Sequence, residues 1–293
     1  MSSVSTPASR GRIWSVLATR PRLRLGLTLL PPLAWLGIAY LGSMAVLFIS
    51  SVWSVDSFTG ALNKNVLTFD NFHQVFTDPL FRTVAIRTVS IALGVTLIDA
   101  IIAIPLGLFM AKVAGPRLQI ALVVAVTTPL WASYLVKAYA WRGMLAPGGP
   151  AQWITGGHAP SYGMTATIMT LAYLWFPYMV LPVFAAFQKL PDSLLEAGAD
   201  LGAKSWTTLR RVALPLVFPG IAAGSIFTFS LTLGDYIAVT IVGGKTQMLG
   251  NLIYGQLVTA NNQPLAAALS LIPIIAVLLY LFALRATGAL EED

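Results

Sequence analysis

The sequence predicts an all-α membrane protein with about six transmembrane helices. Of its 293 residues, 57% are hydrophobic and only 10% are charged, whereas an average soluble domain is about 25% charged. Six apolar runs approach or exceed the roughly 20 residues that a helix needs to cross a bilayer. Lys and Arg residues are concentrated on one side of these runs. Together these observations favour lipid, and not water, as the solvent.

The apolar runs define the candidate spans. The first follows five arginines and is much longer than the roughly 7–15 apolar residues of a cleavable signal sequence. We therefore interpret it as an uncleaved anchor and first span. A long cytoplasmic loop is expected at residues 188–217. The predicted spans are residues 27–53, 84–111, 119–142, 164–187, 218–241 and 265–286.

The basic residues set the predicted orientation, because Lys and Arg are retained on the cytoplasmic side of membrane proteins. With both ends inside, twelve of them fall on the cytoplasmic side and five on the outer side. Residues 1–26 and 287–293 are accordingly predicted to be cytoplasmic tails. The cytoplasmic set is Arg10, Arg12, Arg20, Arg22, Arg24, Lys112, Arg117, Lys189, Lys204, Arg210, Arg211 and Arg285. The outer set is Lys64, Arg82, Arg87, Arg142 and Lys245, with Lys137 inside the third span.

The composition argues against several other classes of protein. The net charge of +7 follows from the orientation bias, and no basic patch interleaved with aromatic residues indicates nucleic-acid binding. Cysteine is absent, and the two histidines, His73 and His158, fall in separate predicted outer loops, so we expect no metal site. Gly244-Lys-Thr is not a phosphate-binding loop, because position 239 is Val where that motif needs Gly. No nucleophile motif predicts a catalytic site.

The outer segment 54–83 is too long to be a simple turn. Within it, Phe69, Phe72, Val75 and Phe76 share one face at helical spacing. We therefore predict a short helix lying on the outer surface.

The cytoplasmic loop 188–217 has the pattern of two short amphipathic helices. Apolar residues recur on one side of each half, and Gly202 falls between the halves, where a helix would end and the chain would turn. Pro215 then leads into the fifth span. An ordinary amphipathic loop lying on the membrane is the alternative interpretation.

The same loop resembles the EAA signature of permease subunits of binding-protein-dependent ABC importers. In that signature Glu-Ala-Ala precedes a Gly six residues after the Glu, then an aliphatic residue ten residues later, then x-Leu-Pro, and this sequence keeps that register. Gly198 departs from it, since it stands where the signature has its second Ala, a small-for-small change. The matching residues are Glu196, Ala197, Gly202, Val212, Leu214 and Pro215.

This resemblance implies the type I ABC importer (MetI-like) permease fold, with both termini in the cytoplasm and the spans in a bacterial inner membrane. The loop would act as a coupling helix that docks on a cytoplasmic ATPase through the seven residues just named. The implied partners are two copies of that ATPase, a second, related permease chain, an extracytoplasmic substrate-binding protein and the lipid bilayer. ATP and Mg would be used by the ATPase, and no cofactor is expected in this chain.

Further stretches resemble the spermidine/putrescine permeases, specifically their B-type subunit, whose partner would be a C-type chain. These stretches are residues 67–76, 129–141, 230–237 and 243–253. The resemblance implies import of an organic cation and favours a polyamine. Relatives in that branch carry other organic cations, aminophosphonates or iron, which are the alternative substrates. An ion channel or an intramembrane enzyme is the alternative from another class, and neither requires an ATPase-docking loop.

Two acidic residues lie inside predicted spans, and an ionisable group at membrane depth is a functional candidate. Asp235 is expected toward the outer third of the fifth span, and Asp99 nearer the middle of the second. A polyamine path should offer carboxylates to ammonium groups and aromatic faces for cation–π contact. Internal neutralisation of Asp235 by Arg87 or Lys137 is the alternative. The candidate aromatic residues of the path are Trp131, Tyr134, Trp175, Tyr178 and Tyr236.

Overall fold

The computed structural model describes residues 21–56, 59–157 and 162–288. Most of the two predicted tails lies outside the described residues, together with Arg10, Arg12, Arg20 and His158 and the side chains of Arg22 and Arg24. The described part of the chain is largely helical, with one two-stranded antiparallel pair.

The elements follow one another with short connections. The helices are α1 (Pro21–Leu36), α2 (Gly42–Ser50), α3 (Asp70–Thr77), α4 (Pro79–Leu108), α5 (Pro116–Trp131), α6 (Tyr134–Leu145), α7 (Pro150–Ile154), α8 (Met164–Lys189), α9 (Asp192–Asp200), α10 (Ser205–Thr208), α11 (Leu214–Leu233), α12 (Ile237–Val242), α13 (Leu249–Tyr254) and α14 (Gln263–Ala286). The strands are β1 (Ser54–Val55) and β2 (Leu62–Asn63). Helical structure continues through π-helical turns at Gly37–Leu41, Phe109–Val113, Leu209–Ala213 and Gly255–Thr259.

Five helical stretches of the described chain are long and apolar enough to cross a membrane, and a bent pair makes a sixth. The prediction of an all-α membrane protein with about six spans is therefore confirmed. The five stretches are Thr28–Ser50, Pro79–Val113, Met164–Lys189, Ser205–Leu233 and Gln263–Ala286.

The sixth stretch differs from a single straight span. Where residues 119–142 were predicted to form one helix, α5 and α6 meet at an angle of 99°. Pro129 lacks an N–H group and so weakens the last turn of α5. Ala132 and Ser133 are then extended, with ψ angles of 142° and 136°.

Helices α4, α8 and α11 form the centre of the bundle. Their facing side chains, together with those of the π-helical turns that follow α4 and precede α11, build a buried apolar cluster. Its members include Met110, Met179, Phe187 and Val217. Helix α14 packs on the outside of α11, where the rings of Phe229 and Tyr280 stack with centroids 4.3 Å apart. The first span is almost entirely exposed, so the rest of this chain does not cover it.

Two glycines allow α11 to approach α8 closely. A Cβ atom added at Gly220 would lie 2.8 Å from the carbonyl oxygen of Pro182 and would overlap the methyl group of Ala186. A Cβ atom at Gly224 would lie 2.9 Å from the Met179 sulfur. Small residues four positions apart are a common means of close helix packing in membranes. The two glycines therefore set the distance between these helices.

The short outer helix is confirmed as α3, which begins directly after Phe69. Phe72 and Val75 pack inward against residues of α4 and α14. Phe69 and Phe76 are 76% and 66% exposed. Part of the predicted apolar face thus packs against the bundle, and the rest is exposed.

The glycine elbow in the cytoplasmic loop is also confirmed. Helix α9 ends at Asp200, and Gly202 has a φ of +73°, a left-handed conformation that favours glycine. The second short helix differs from the prediction, because it does not end before the fifth span. Helices α10 and α11 and the π-helical turn between them form one continuous helix from Ser205 to Leu233. Pro215 therefore lies inside this continuous helix, directly after the π-helical turn Leu209–Ala213, where the regular α-helical hydrogen-bond pattern is already altered.

We expect Gly220→Ala to destabilise the purified protein, because the added methyl group meets backbone atoms of α8 that cannot move aside. Overpacking of this kind typically costs about 1–3 kcal/mol. Gly94→Ala in α4 is the matched control, since a Cβ atom there meets nothing within 4 Å. Thermal unfolding in detergent should give a lower midpoint for the first variant and an equal or higher midpoint for the control. Equal midpoints for both variants would show that the close approach is not required.

Candidate functional site

Two interruptions of helical structure meet in the bundle. The first separates α5 from α6 at Ala132 and Ser133, and the second separates α11 from α12 at residues 234–236. Tyr134 is the first residue of α6, and its hydroxyl group donates a hydrogen bond to the carboxylate of Asp235. This bond joins two breaks that are 101 residues apart in the sequence.

The Asp235 carboxylate also caps the helix that follows it. Its Oδ1 accepts a hydrogen bond from the backbone N–H of Ala238 at 3.0 Å, and the residue is 7% exposed. Among the described residues, neither Arg87 nor Lys137 forms an ion pair with Asp235, and the ion pair that is found joins Lys112 to Asp192. Each carboxylate oxygen can accept more than one hydrogen bond, so acceptor capacity remains.

A cavity of about 300 Å³ opens beside this carboxylate. It combines a single carboxylate with three aromatic side chains, two of them tyrosines, and the hydroxyl group of a serine. Tyr134 and Trp175 form one wall, and residues of the α11–α12 break form the other. The lining residues are Tyr134, Trp175, Ser230, Leu231, Gly234, Asp235, Tyr236 and Ile237.

Aromatic rings continue from this cavity along α8 and α11. The ring centroids of Tyr134 and Trp175 are 5.9 Å apart, those of Trp175 and Tyr178 are 6.0 Å apart, and those of Tyr178 and Phe227 are 6.4 Å apart. Within the described residues, the Trp175 Nε1 is buried and has no hydrogen-bond acceptor. The row therefore offers several ring faces and one unused N–H donor.

A second cavity, of about 420 Å³, also adjoins the α11–α12 break. Gly234 and Tyr236 line both cavities. The Tyr236 ring stacks on the Tyr254 ring with centroids 5.1 Å apart. Tyr236 thus forms part of the wall of both cavities.

Helix α13 holds the α11–α12 break in place. The Asn251 side-chain amide donates to the carbonyl of Tyr236 at 3.0 Å and to the hydroxyl of Thr240 at 2.8 Å. A Cβ atom at Gly250 would lie 3.1 Å from the Asp235 carbonyl oxygen, so only glycine fits there without a shift. Sequence reasoning assigned no role to Gly250 and Asn251, although both lie in the stretch 243–253 that carried the polyamine resemblance.

The predicted path residues do not all come together. Tyr134, Trp175, Asp235 and Tyr236 share one cavity, and Tyr178 is the next ring in the aromatic row. Trp131 is 90% exposed and lines none of this space. Asp99 is 1% exposed in α4, where neither carboxylate oxygen has a hydrogen-bond partner among the described residues.

Metal ligands do not cluster in the described part of the chain, which holds no group of three or more His, Asp or Glu residues. The site is therefore defined by one carboxylate and several aromatic rings.

The cytoplasmic signature residues lie on and beside the elbow. Glu196, Ala197 and Gly202 are exposed, whereas Gly198 faces α10. A Cβ atom at Gly198 would lie 2.9 Å from both Cγ2 and Oγ1 of Thr208. The alanine that the signature has at this position would therefore collide with Thr208. The remaining signature residues, Val212, Leu214 and Pro215, lie in the π-helical turn before α11 and in its first turn.

Large apolar side chains stand out from the same elbow. Leu201 is 88% exposed and Trp206 is 67% exposed. Apolar groups so exposed on a polar loop commonly mark a contact surface.

Comparison with known proteins identifies the chain. Residues 103–290 match the family described as "Binding-protein-dependent transport system inner membrane component". The chain is 40% identical to the "Inner membrane ABC transporter permease protein YdcU" of Escherichia coli, over 96% of this chain and 95% of that protein. It is 30% identical to the "Spermidine/putrescine transport system permease protein PotB" of Escherichia coli, over 78% of this chain and 86% of that protein.

Solved structures of low sequence identity share the fold. A bacterial alginate ABC transporter in complex with a periplasmic protein bound to alginate pentasaccharide aligns with a TM-score of 0.73 at 19% identity, over 94% of this chain and 96% of that chain. The inward-facing MetNI methionine ABC transporter aligns with a TM-score of 0.57 at 20% identity, over 74% of this chain and 100% of that chain. The chain belongs to the family of binding-protein-dependent transport system inner membrane components, and it is a non-catalytic permease subunit of an ABC importer with the MetI-like fold, located in the inner membrane.

Proposed function

We propose that this subunit forms half of the translocation path for a small organic cation, and that the cation is a polyamine such as spermidine or putrescine. The observation that carries the proposal is the Asp235 carboxylate, which lines a cavity with aromatic walls and has no cationic partner among the described residues. A charge kept at membrane depth without a protein counter-ion is costly, so it is expected to serve function.

The chemistry of the cavity matches a polyamine. Each ammonium group carries several N–H donors, and Asp235 retains acceptor capacity beyond its bonds to Tyr134 and Ala238. The faces of Tyr134, Trp175 and Tyr236 can attract a cation at about 0.5–2 kcal/mol each. The methylene segments between ammonium groups suit the apolar part of the wall.

The named relatives support the substrate class unevenly. The PotB relatives are spermidine/putrescine permeases by name, at 30% identity. The name of YdcU, at 40% identity, specifies no substrate. The proposal of a polyamine therefore rests on the cavity together with the PotB resemblance.

One feature favours a second candidate substrate. The buried Trp175 N–H has no acceptor among the described residues, and an ammonium group cannot supply one. A ligand that carries both an amine and an anionic group, such as an aminophosphonate, would satisfy Asp235 and Trp175 together once a side-chain shift exposes the buried Nε1 to the cavity. Competition of putrescine uptake by excess aminophosphonate distinguishes the two candidates.

We further propose that the elbow around Gly202 couples ATP use to transport. The ATPase dimer would present two clefts and this chain has one elbow, so a second, related permease of the C type would fill the other cleft. An extracytoplasmic binding protein would deliver the substrate; the solved alginate ABC transporter is in complex with such a periplasmic protein, bound to alginate pentasaccharide. ATP and Mg would act in the ATPase alone.

Replacing Asp235 with Asn should reduce putrescine uptake by the reconstituted transporter while leaving basal ATP hydrolysis intact. Loss of a charged hydrogen-bond acceptor is worth about 1.5–3 kcal/mol, or roughly 10- to 100-fold in uptake at low substrate concentration. Tyr134→Phe should have a smaller effect, because it removes only the hydroxyl group that orients the carboxylate.

Tyr139→Phe is the matched control for Tyr134→Phe, since both tyrosines lie on α6 and Tyr139 is 57% exposed. Its uptake should equal that of the wild type. Wild-type uptake kinetics for Asp235→Asn, in a complex that assembles normally, would remove Asp235 from the path. A binding protein selective for anions would overturn the substrate class.

Replacing Gly198 with Ala should weaken coupling, because the new methyl group collides with Thr208 and tilts α9. The double variant Gly198→Ala/Thr208→Ala should recover, since removing Cγ2 and Oγ1 restores the space. We expect binding-protein-stimulated ATPase activity to fall in the single variant and to return in the double variant. Such non-additivity is the signature of direct contact, and purely additive effects would contradict the proposed packing.

A further inference from the structure

Lys112 lies at the joint between the second span and the cytoplasmic elbow. It belongs to the π-helical turn Phe109–Val113, which follows α4. Its Nζ donates to the carbonyl oxygen of Leu190 at 2.5 Å and to Asp192 Oδ1 at 2.6 Å. The Lys112 side chain is only 12% exposed, whereas that of Asp192 is 73% exposed. The Lys112 side chain is therefore largely buried, whereas the carboxylate that it meets remains exposed to solvent.

The two acceptors belong to the two helices on either side of a bend. Leu190 directly follows α8, and its carbonyl is one of the free acceptors at a helix C-terminus, where positive charge is favourable. Asp192 is the first residue of α9, where a carboxylate is favourable. One ammonium group thus bridges the end of α8, the start of α9 and the end of the second span.

Apolar packing adds little to this bridge. Among the described residues, Leu195 is the one side chain of α9 that packs against the central apolar cluster. A space of about 270 Å³ lies between α9, α10 and the turn that holds Lys112, and α9 meets α10 through Gly198 and Thr208. The orientation of α9 relative to the second span therefore depends in large part on the polar bonds at its N-terminus.

We propose that Lys112 is a positioning residue for coupling, which makes α9 and the cytoplasmic end of the second span move as one body when the ATPase closes. This inference rests on the proposed role of α9 as the coupling helix and is independent of the choice of substrate. Replacing Lys112 should loosen the attachment of α9 to the second span more than replacing Asp192, because loss of the Asp192 carboxylate leaves the bond from Lys112 to the Leu190 carbonyl in place.

The test is a distance measurement in the assembled transporter. The chain contains no cysteine, so Ile102→Cys on the second span, at a position that is 50% exposed, and Asp200→Cys at the end of α9 provide two unique sites for spin labels in this subunit. Double electron–electron resonance is recorded without nucleotide and after trapping with ATP and vanadate. With Lys112 intact, the distribution of distances between the two labels should show one narrow peak at the same position in both states.

In Lys112→Met the distribution of distances between the two labels should broaden, and its mean should change on ATP trapping, because α9 then moves independently of the second span. Lys112→Arg keeps the charge and the donors and should behave as the wild type. Asp192→Asn should lie between the two, and its exposed position makes misfolding a minor concern. A narrow, unshifted distance in Lys112→Met, or an ATP-dependent shift with Lys112 intact, would overturn the proposal.

A second pair of spin labels tests the assumption that α9 is the coupling helix. The distance from a label at Asp200 to one on the ATPase should change on trapping if α9 docks there. A constant distance in this pair would refute the coupling role of α9, whereas the first pair alone addresses Lys112.

Discussion

The hydrogen bond from Tyr134 to Asp235 is the contact on which the candidate site depends. Irregular backbone inside a membrane protein is tolerated only where its polar groups are satisfied or where it lines a cavity. The Asp235 carboxylate helps to meet this requirement at both breaks. It accepts a hydrogen bond from the backbone N–H of Ala238 in α12, and it accepts another from the hydroxyl group of Tyr134, the first residue of α6. The two helix breaks and the cavity between them follow from that arrangement.

A single helix connects this site to the cytoplasmic elbow. The continuous stretch from Ser205 to Leu233 has 29 residues, which is about 44 Å at 1.5 Å per residue. Its first residues follow Gly202, and its last residue precedes the break that holds Asp235. Under the proposed coupling role, a movement imposed at the elbow would therefore reach one wall of the cavity. Gly220 and Gly224 bring this helix into close contact with α8.

Sequence reasoning recovered the features that depend on local pattern. Apolar length and charge bias gave the membrane fold, helical spacing gave α3, and the glycine at position 202 gave the elbow. It also grouped Tyr134, Trp175, Asp235 and Tyr236 by chemistry, and the structure brings these four residues into one cavity. It could not show that Asp235 bonds to a tyrosine and has no ion pair, because that depends on how distant segments meet.

Other features were hidden for similar reasons. The break at Ala132 and Ser133 lies in a continuous apolar run, so hydropathy alone describes it as one span. Gly250 and Asn251 look like ordinary loop residues until α13 is seen against the backbone of Asp235 and Tyr236. The bridge made by Lys112 joins residues about 80 positions apart, which no local pattern reveals.

Protection of a thiol in the cavity tests the central claim most directly. Ser230 lines the cavity beside Asp235, whereas Ser270 lines a different groove beside α2. Modification of Ser230→Cys by a cationic methanethiosulfonate reagent should be slowed by putrescine in the purified complex, and Ser270→Cys should be unaffected. Adding Asp235→Asn should abolish the protection. Unprotected modification of Ser230→Cys at saturating putrescine, in a transporter with normal uptake, would contradict the assignment of this cavity as the substrate site.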